Sequence, residues 1–169
     1  MTDRVNLSGL TLVLPTGWLD ITNDLPRGSA PTIAKEDGVG VIQFSVARYR
    51  SGVEPHLDVA ALREMLDEFG DHHRLGKPVS YEEGQGYGGN RFVAAEFSLP
   101  DQVIAVWYLT NGRNVALITS VADGAKIRRW PASLSTLLAS FGRLISNSPP
   151  AQSSVFHGKC PATTAQFDT

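Results

Sequence analysis

Two adjacent histidines, His72 and His73, follow Asp71, and His56 lies upstream of them. Imidazole and carboxylate groups bind zinc and other divalent ions, so this is the stretch whose residue types best fit a metal. Adjacent histidines on a regular element point in different directions, however, and no cysteine or acidic pair stands nearby. A solvated turn after a helix is the favoured reading. His157 and Cys160 have the types of a base and its nucleophile. They sit in a Ser- and Pro-rich stretch that offers no scaffold to align them. Glu82 and Glu83 are sequential carboxylates, and on a strand they project to opposite faces and cannot act together. The run Gly84-Gln85-Gly86-Tyr87-Gly88-Gly89 is rich enough in glycine to cradle phosphate. It leads into a strand rather than a helix N-terminus, so the oriented amides are lacking and a hairpin connection is expected. No G-x-x-x-x-G-K-[ST], G-x-S-x-G or H-E-x-x-H pattern occurs. The expectation is a protein that is not an enzyme, with no catalytic residue, no metal and no cofactor.

Bulk properties narrow the partners. The 169 residues fit one domain, and 42% hydrophobic with 19% charged content suits a chain that buries a core. Net charge is −2, with Lys and Arg scattered along the sequence, Arg128-Arg129 being the one adjacent pair. A nucleic-acid surface needs clustered positive charge, as does a polybasic membrane contact, so neither partner is expected. Cys160 is the single cysteine, which rules out an internal disulfide. Residues 1–8 carry no apolar signal core, and no run approaches the ~18 apolar residues of a membrane span. This sets a cytoplasmic expectation. A protein exported by an apparatus that reads no N-terminal signal would look the same.

The elements follow from periodicity. Leu10, Leu12 and Leu14 alternate with polar or small residues, predicting a strand over 7–14 that Pro15-Thr16-Gly17 turns into a second at 18–22. An edge strand is expected at 32–36. In the strand at 41–50, Ile42, Phe44 and Val46 share one face and Gln43, Ser45 and Ala47 the other. Leu62, Met65, Leu66 and Phe69 make a helical stripe over 59–69, capped by Asp58, stapled by Leu57 against Leu62 and stopped by Gly70. Strands at 91–98, 103–110 and 113–122 form a meander, turned at Pro100-Asp101 and Asn111-Gly112. A second helix is expected from Pro131 to Gly142, with Leu134, Leu137, Leu138 and Phe141 on its stripe. Residues 1–145 are read as one α+β domain, an antiparallel sheet of about six strands with two or more helices. Residues 146–169 are read as a Ser/Pro-rich tail, pinned locally at most by Val155, Phe156 and Phe167.

Two-residue turns would fix the strand registers. Phe97 would then face Ile104, Ala94 would face Trp107, Trp107 would face Ala116 and Ala105 would face Ile118. The first sheet face carries Val93, Ala95, Phe97, Ile104, Val106, Tyr108, Val115, Leu117 and Thr119, a bulky apolar seat for helices. The second carries Phe92, Ala94, Glu96, Ala105, Trp107, Leu109, Ala116, Ile118 and Ser120. An antiparallel sheet with one wet face should be polar there, and this one is not. Intramolecular cover is the commoner solution. The sharper reading is a partner-binding groove, floored by Ala94, Ala105, Ala116 and Ile118, anchored by Trp107, with Glu96 as polar handle.

The segment Leu14-Pro15-Thr16-Gly17-Trp18-Leu19-Asp20-Ile21-Thr22, the strand and helix that follow it, and Leu137-Leu138-Ala139-Ser140-Phe141 together resemble the PsbP/Mog-like superfamily. That superfamily includes the DcrB-like proteins and the Eag-type secretion chaperones, and the resemblance covers about residues 5–145. It implies a PsbP-like α/β/α sandwich and a non-catalytic role in protein binding, and in the Eag branch the escort of a secreted effector. The Ser/Pro-rich tail departs from the usual pattern. The functional expectation is a chaperone, adaptor or immunity-type protein of a bacterial secretion system that binds another protein, a secreted effector being one such partner. The alternative is a small-ligand carrier that uses the second face as a pocket. The sequence leaves the oligomeric state open, a dimer included.

Overall fold

The computed structural model describes residues 4–7, 10–14, 16–38, 40–50, 52–53, 55–85 and 89–124. In chain order they form β1 (Arg4–Leu7), β2 (Leu10–Val13), β3 (Trp18–Asp20), a 3-10 turn at Thr22–Asp24, β4 (Thr32–Lys35) and β5 (Gly40–Ala47). The helix α1 (Val59–His72) follows, then β6 (Ser80–Gln85), β7 (Arg91–Ser98), β8 (Gln102–Thr110) and β9 (Val115–Asp123). β1 and β2 pair only with each other. The other seven strands build one antiparallel sheet in the order β3-β4-β5-β9-β8-β7-β6. Two meanders are joined where β5 meets β9, and α1 lies in the connection that carries the chain from the sheet's middle to its β6 edge.

This overturns the α+β expectation of about six strands in an α/β/α sandwich with two or more helices. The described residues are mainly β: a seven-stranded sheet, a separate hairpin and one α-helix. Two strands escaped the hydrophobic pattern. β6 reads Ser-Tyr-Glu-Glu-Gly-Gln and is almost wholly exposed, because a sheet-edge strand has no face that must be apolar along its length. The strand expected over 7–14 is instead one arm of the β1–β2 hairpin, its register running from Arg4↔Val13 to Leu7↔Leu10. The second helix expected at 131–142 and the tail at 146–169 lie outside the described residues.

α1 begins as the sequence dictates. The Asp58 carboxylate accepts the Ala61 N–H at 2.9 Å, satisfying one of the donors a helix start leaves orphaned. Leu62 and Leu66 are buried against Val93, Ala95, Phe97, Val106 and Tyr108 of β7 and β8. Each fully buried leucine contributes about 1.5–3 kcal/mol. The helix ends later than the glycine suggests. Gly70 lies inside it, where an added Cβ would sit 3.4 Å from the Phe97 ring, so its small size permits close approach rather than a stop. The stop is Arg74, with φ 54°. The Arg74 N–H donates to the Asp71 carbonyl at 3.1 Å and the Leu75 N–H to the Gly70 carbonyl at 2.9 Å, a Schellman closure with buried Leu75 as its apolar contact.

The β7–β8 register is the expected one, with Phe97 opposite Ile104, Glu96 opposite Ala105 and Ala94 opposite Trp107. The β8–β9 register differs: Trp107 lies opposite Ile118, and Thr110 opposite Val115. The loop is therefore four residues, Asn111 to Asn114, and Asn111 does not take the positive φ of a two-residue turn. Its side-chain carbonyl instead accepts the N–H groups of Arg113 (3.0 Å) and Asn114 (2.8 Å), which suits a longer turn. A slip of two residues keeps every side chain on its face, so both face lists survive it.

Candidate functional site

All six residues of the expected groove lie on the second face. Ala94, Trp107 and Ile118 form one cross-strand row that continues to Phe44 on β5. Glu96 and Ala105 head a neighbouring row through Ser120, Ile42 and Ile33, and Ala116 sits opposite Leu109 in a third. Their burial divides them. Ala94, Ala105, Ala116 and Ile118 are 8%, 2%, 0% and 1% exposed, whereas Trp107 and Glu96 are half-buried. Leu14 and Trp18 pack into the same apolar cluster with Ile33, Ile42, Phe44 and Leu109. Ser120 gives its hydroxyl to the Val41 carbonyl at 3.1 Å, which satisfies the polar group in the floor.

The first face is not uniform either. α1 covers β7 and β8. Beyond it, one apolar row runs across the sheet from Ile104 through Val121, Val41 and Ala34 to Leu19. Its outer members are open to solvent, Val41 at 36% and Leu19 at 49%. The neighbouring row is polar: Gln43 Nε2 donates to Thr32 Oγ1 at 3.3 Å, and Thr32 Oγ1 donates to the Ala30 carbonyl at 2.7 Å. Sequence reasoning placed Val41 on a strand but missed this exposed row. Its signal was the pairing of strands distant in sequence, which no local pattern encodes.

Titratable groups that meet among the described residues form a latch on the surface. Arg63 donates from Nη2 to Glu83 at 2.6 Å and from Nε to the Tyr81 hydroxyl at 3.0 Å, and that hydroxyl donates to Glu83 at 2.7 Å. The arginine's hydrogen bond holds Glu83 below the usual carboxylate range, while burial raises the Tyr81 phenol. All three are exposed and latch α1 to the β6 edge. Glu82 points to the opposite face, as expected for a sequential pair. Burial, with Glu68 adding to it, pushes the Tyr108 phenol up to about 12. His72 and His73 meet edge to face at 5.0 Å. Burial, then the neighbouring His72, lowers the His73 imidazole. Among the described residues no group of three or more His, Cys, Asp or Glu could hold a metal, and every buried side-chain nitrogen or oxygen has a hydrogen-bond partner. The His157–Cys160 pair lies outside them. Among the described residues no helix is long and apolar enough to cross a membrane.

No protein-family model matches the chain, and no curated protein matches it at a significant level. The resemblance to PsbP/Mog-like proteins therefore stands on its own residues alone.

Proposed function

We propose that the chain is a non-catalytic protein-binding module, a cytoplasmic chaperone, adaptor or immunity-type protein tied to a bacterial secretion system. The same proposal includes PsbP/Mog-like kinship. One observation carries it. The second sheet face carries Trp107 half-buried in an apolar cluster, with Ala94, Ala105 and Ala116 on the same face, while α1 packs on the opposite one. Tryptophan is enriched among the residues that dominate binding interfaces, and Glu96 on the same face supplies a polar handle. A partner's apolar segment would lie over Ala94, Ala105, Ala116 and Ile118 with Trp107 as its anchor. Because those four are buried, it reaches them by displacing what shields them in this structure.

The test compares the full chain with Trp107→Glu by thermal melting and by identifying the proteins that co-purify from the native host. The expected variant folds and loses its partner. A variant that does not fold marks the face as ordinary core and overturns the proposal. A native mass spectrum of the wild-type chain showing a persistent small-molecule adduct would also overturn it, in favour of a carrier.

A further inference from the structure

The arginines that stand singly in the sequence are gathered by the fold. Gln85, Arg91, Thr110, Val115 and Ala47 form one row across five strands at one end of the sheet. With strands about 4.8 Å apart, Arg91 and Ala47 are roughly 14 Å from each other along it. Arg48 and Arg50 follow Ala47, and Arg113 stands in the loop between β8 and β9. All four arginines are exposed.

The platform that carries them is tied down by polar contacts. The Tyr49 N–H donates to Asn114 Oδ1 at 2.9 Å, holding the segment after β5 against the β8–β9 loop. Thr110 Oγ1 donates to the Asn114 carbonyl at 2.7 Å and accepts the Gly112 N–H at 2.9 Å. The Leu57 N–H donates to the Gly112 carbonyl at 3.1 Å, joining the approach to α1 to the same loop. The Arg113 guanidinium lies 4.5 Å from the centre of the Tyr49 ring, within cation–π range.

Arg48, Arg50 and Arg91 have no carboxylate partner among the described residues. Asp58, close in sequence, is committed to capping α1. The other end of the sheet carries Glu36 and Asp37 in the β4–β5 turn, Asp101 in the β7–β8 turn and Asp123 at the end of β9. Among the described residues that end is the more acidic, although Lys35 there pairs with Asp37 at 3.1 Å.

We propose that the surface of Arg48, Arg50, Arg91 and Arg113 docks an acidic segment of a partner protein. All four cations are guanidinium groups, which present the planar fork that fits a carboxylate bidentately. A nucleic acid fits less well. Four cations over roughly 14 Å would displace few counterions, and the Tyr49 ring that a base could stack on is already occupied by Arg113. This surface is distinct from the Trp107 face, and either reading can fail without the other.

The experiment titrates the full chain into three fluorescein-labelled probes and follows anisotropy at low and at physiological salt. The probes are a short peptide alternating Glu and Ser, a matched peptide alternating Lys and Ser, and a single-stranded oligonucleotide of similar length. Saturable binding of the acidic peptide alone is expected, weakening as salt rises. Converting all four arginines to glutamine should weaken it by at least ~10-fold, and each single Arg→Gln change by roughly 3-fold, as for charged contacts at an interface rim. Lys77→Gln, exposed at the opposite end, should change nothing. Melting curves establish that the variants fold, and if the fourfold variant does not, Arg48→Gln and Arg50→Gln carry the same test. Oligonucleotide binding as tight as the acidic peptide's would overturn the proposal. So would absence of saturation, or a loss in Lys77→Gln equal to that in the arginine variants.

Discussion

Beneath α1 the central strands present Val93, Phe97, Val106 and Tyr108. On the reverse the same strands present Ala94, Ala105 and Ala116 beside Leu109, Ile118 and a half-buried Trp107. Both surfaces are shielded from water, yet they are built from different materials. The first interlocks large side chains with the leucines of a helix, so its occupant is fixed by shape. The second is mixed in size, its alanines lying beside Leu109, Ile118 and Phe44, and α1 does not pack on it. Burial alone does not distinguish a core from a binding surface. The size of the side chains supplying it is the more informative quantity, and substitutions that change size on each face test it.

The largest effect is expected on the first face. Leu62 is fully buried at the centre of the α1 contact, and Leu62→Ala should cost about 2–5 kcal/mol, the lost transfer energy plus that of the cavity left behind. Urea denaturation with a shared m-value measures it. A cost under about 1 kcal/mol would show that the helix repacks freely and that the first face is no more specific than the second.

The reverse substitution probes the other side. Ala105 is 2% exposed, so Ala105→Leu forces a large side chain into a closed space and should cost about 1–3 kcal/mol. A neutral result would mean that the shield over the second face yields easily, as a surface that exchanges occupants must. The same melting experiment thus separates rigid core from displaceable cover, and it needs no knowledge of the partner.

How much of this was legible beforehand depended on whether the determining contact was local. Alternation within β7, β8 and β9 assigned every residue to its face, and the assignment survived a two-residue error at the β8–β9 loop because the pleat repeats every two. Asp58 was readable as a cap because the hydrogen bond it makes spans three residues. β6 was not readable, since its pairing energy comes from backbone bonds to β7 and its side chains face water. Gly70 was misread for a related reason. Its sequence neighbours suggest a helix stop, whereas its role is set by Phe97, a partner on a distant strand. The six groove residues were placed on one face, but their burial and the separation of Trp107 and Glu96 from the four buried ones depend on the whole fold. The arginine platform was invisible for the same reason: only strand order brings Arg48, Arg50, Arg91 and Arg113 to one end of the sheet.

Gly70 offers a finer measure of how closely α1 sits on the first face. A methyl group there would meet the Phe97 ring at 3.4 Å, an ordinary to slightly tight contact, while removing glycine from a helix interior gains about 0.5–1 kcal/mol. Gly70→Ala should therefore stabilise the protein by up to that amount. A net loss would mean that the helix is held more tightly against β7 than the leucine contacts alone require, sharpening the contrast with the second face. Thermal melting of the single variant suffices.

The smallest effect expected is at the foot of the same helix, where the first face gives way to solvent. His73 packs against Phe69 with ring centres 4.3 Å apart, and burial, then the nearby His72, lowers its folded pKa below the ordinary 6.5. The unfolded chain therefore takes up its proton first as pH falls. Stability is fully present above about pH 6.5, declines as pH drops from there through the folded value, and is flat again below it. His73→Phe keeps a ring against Phe69 and removes the titration. Melting midpoints measured from neutral to mildly acid pH should fall less steeply in the variant than in the wild type. Equal slopes would place the acid sensitivity elsewhere and would show that the helix end is already open to water in the folded state, so that close packing on the first face stops at Leu75.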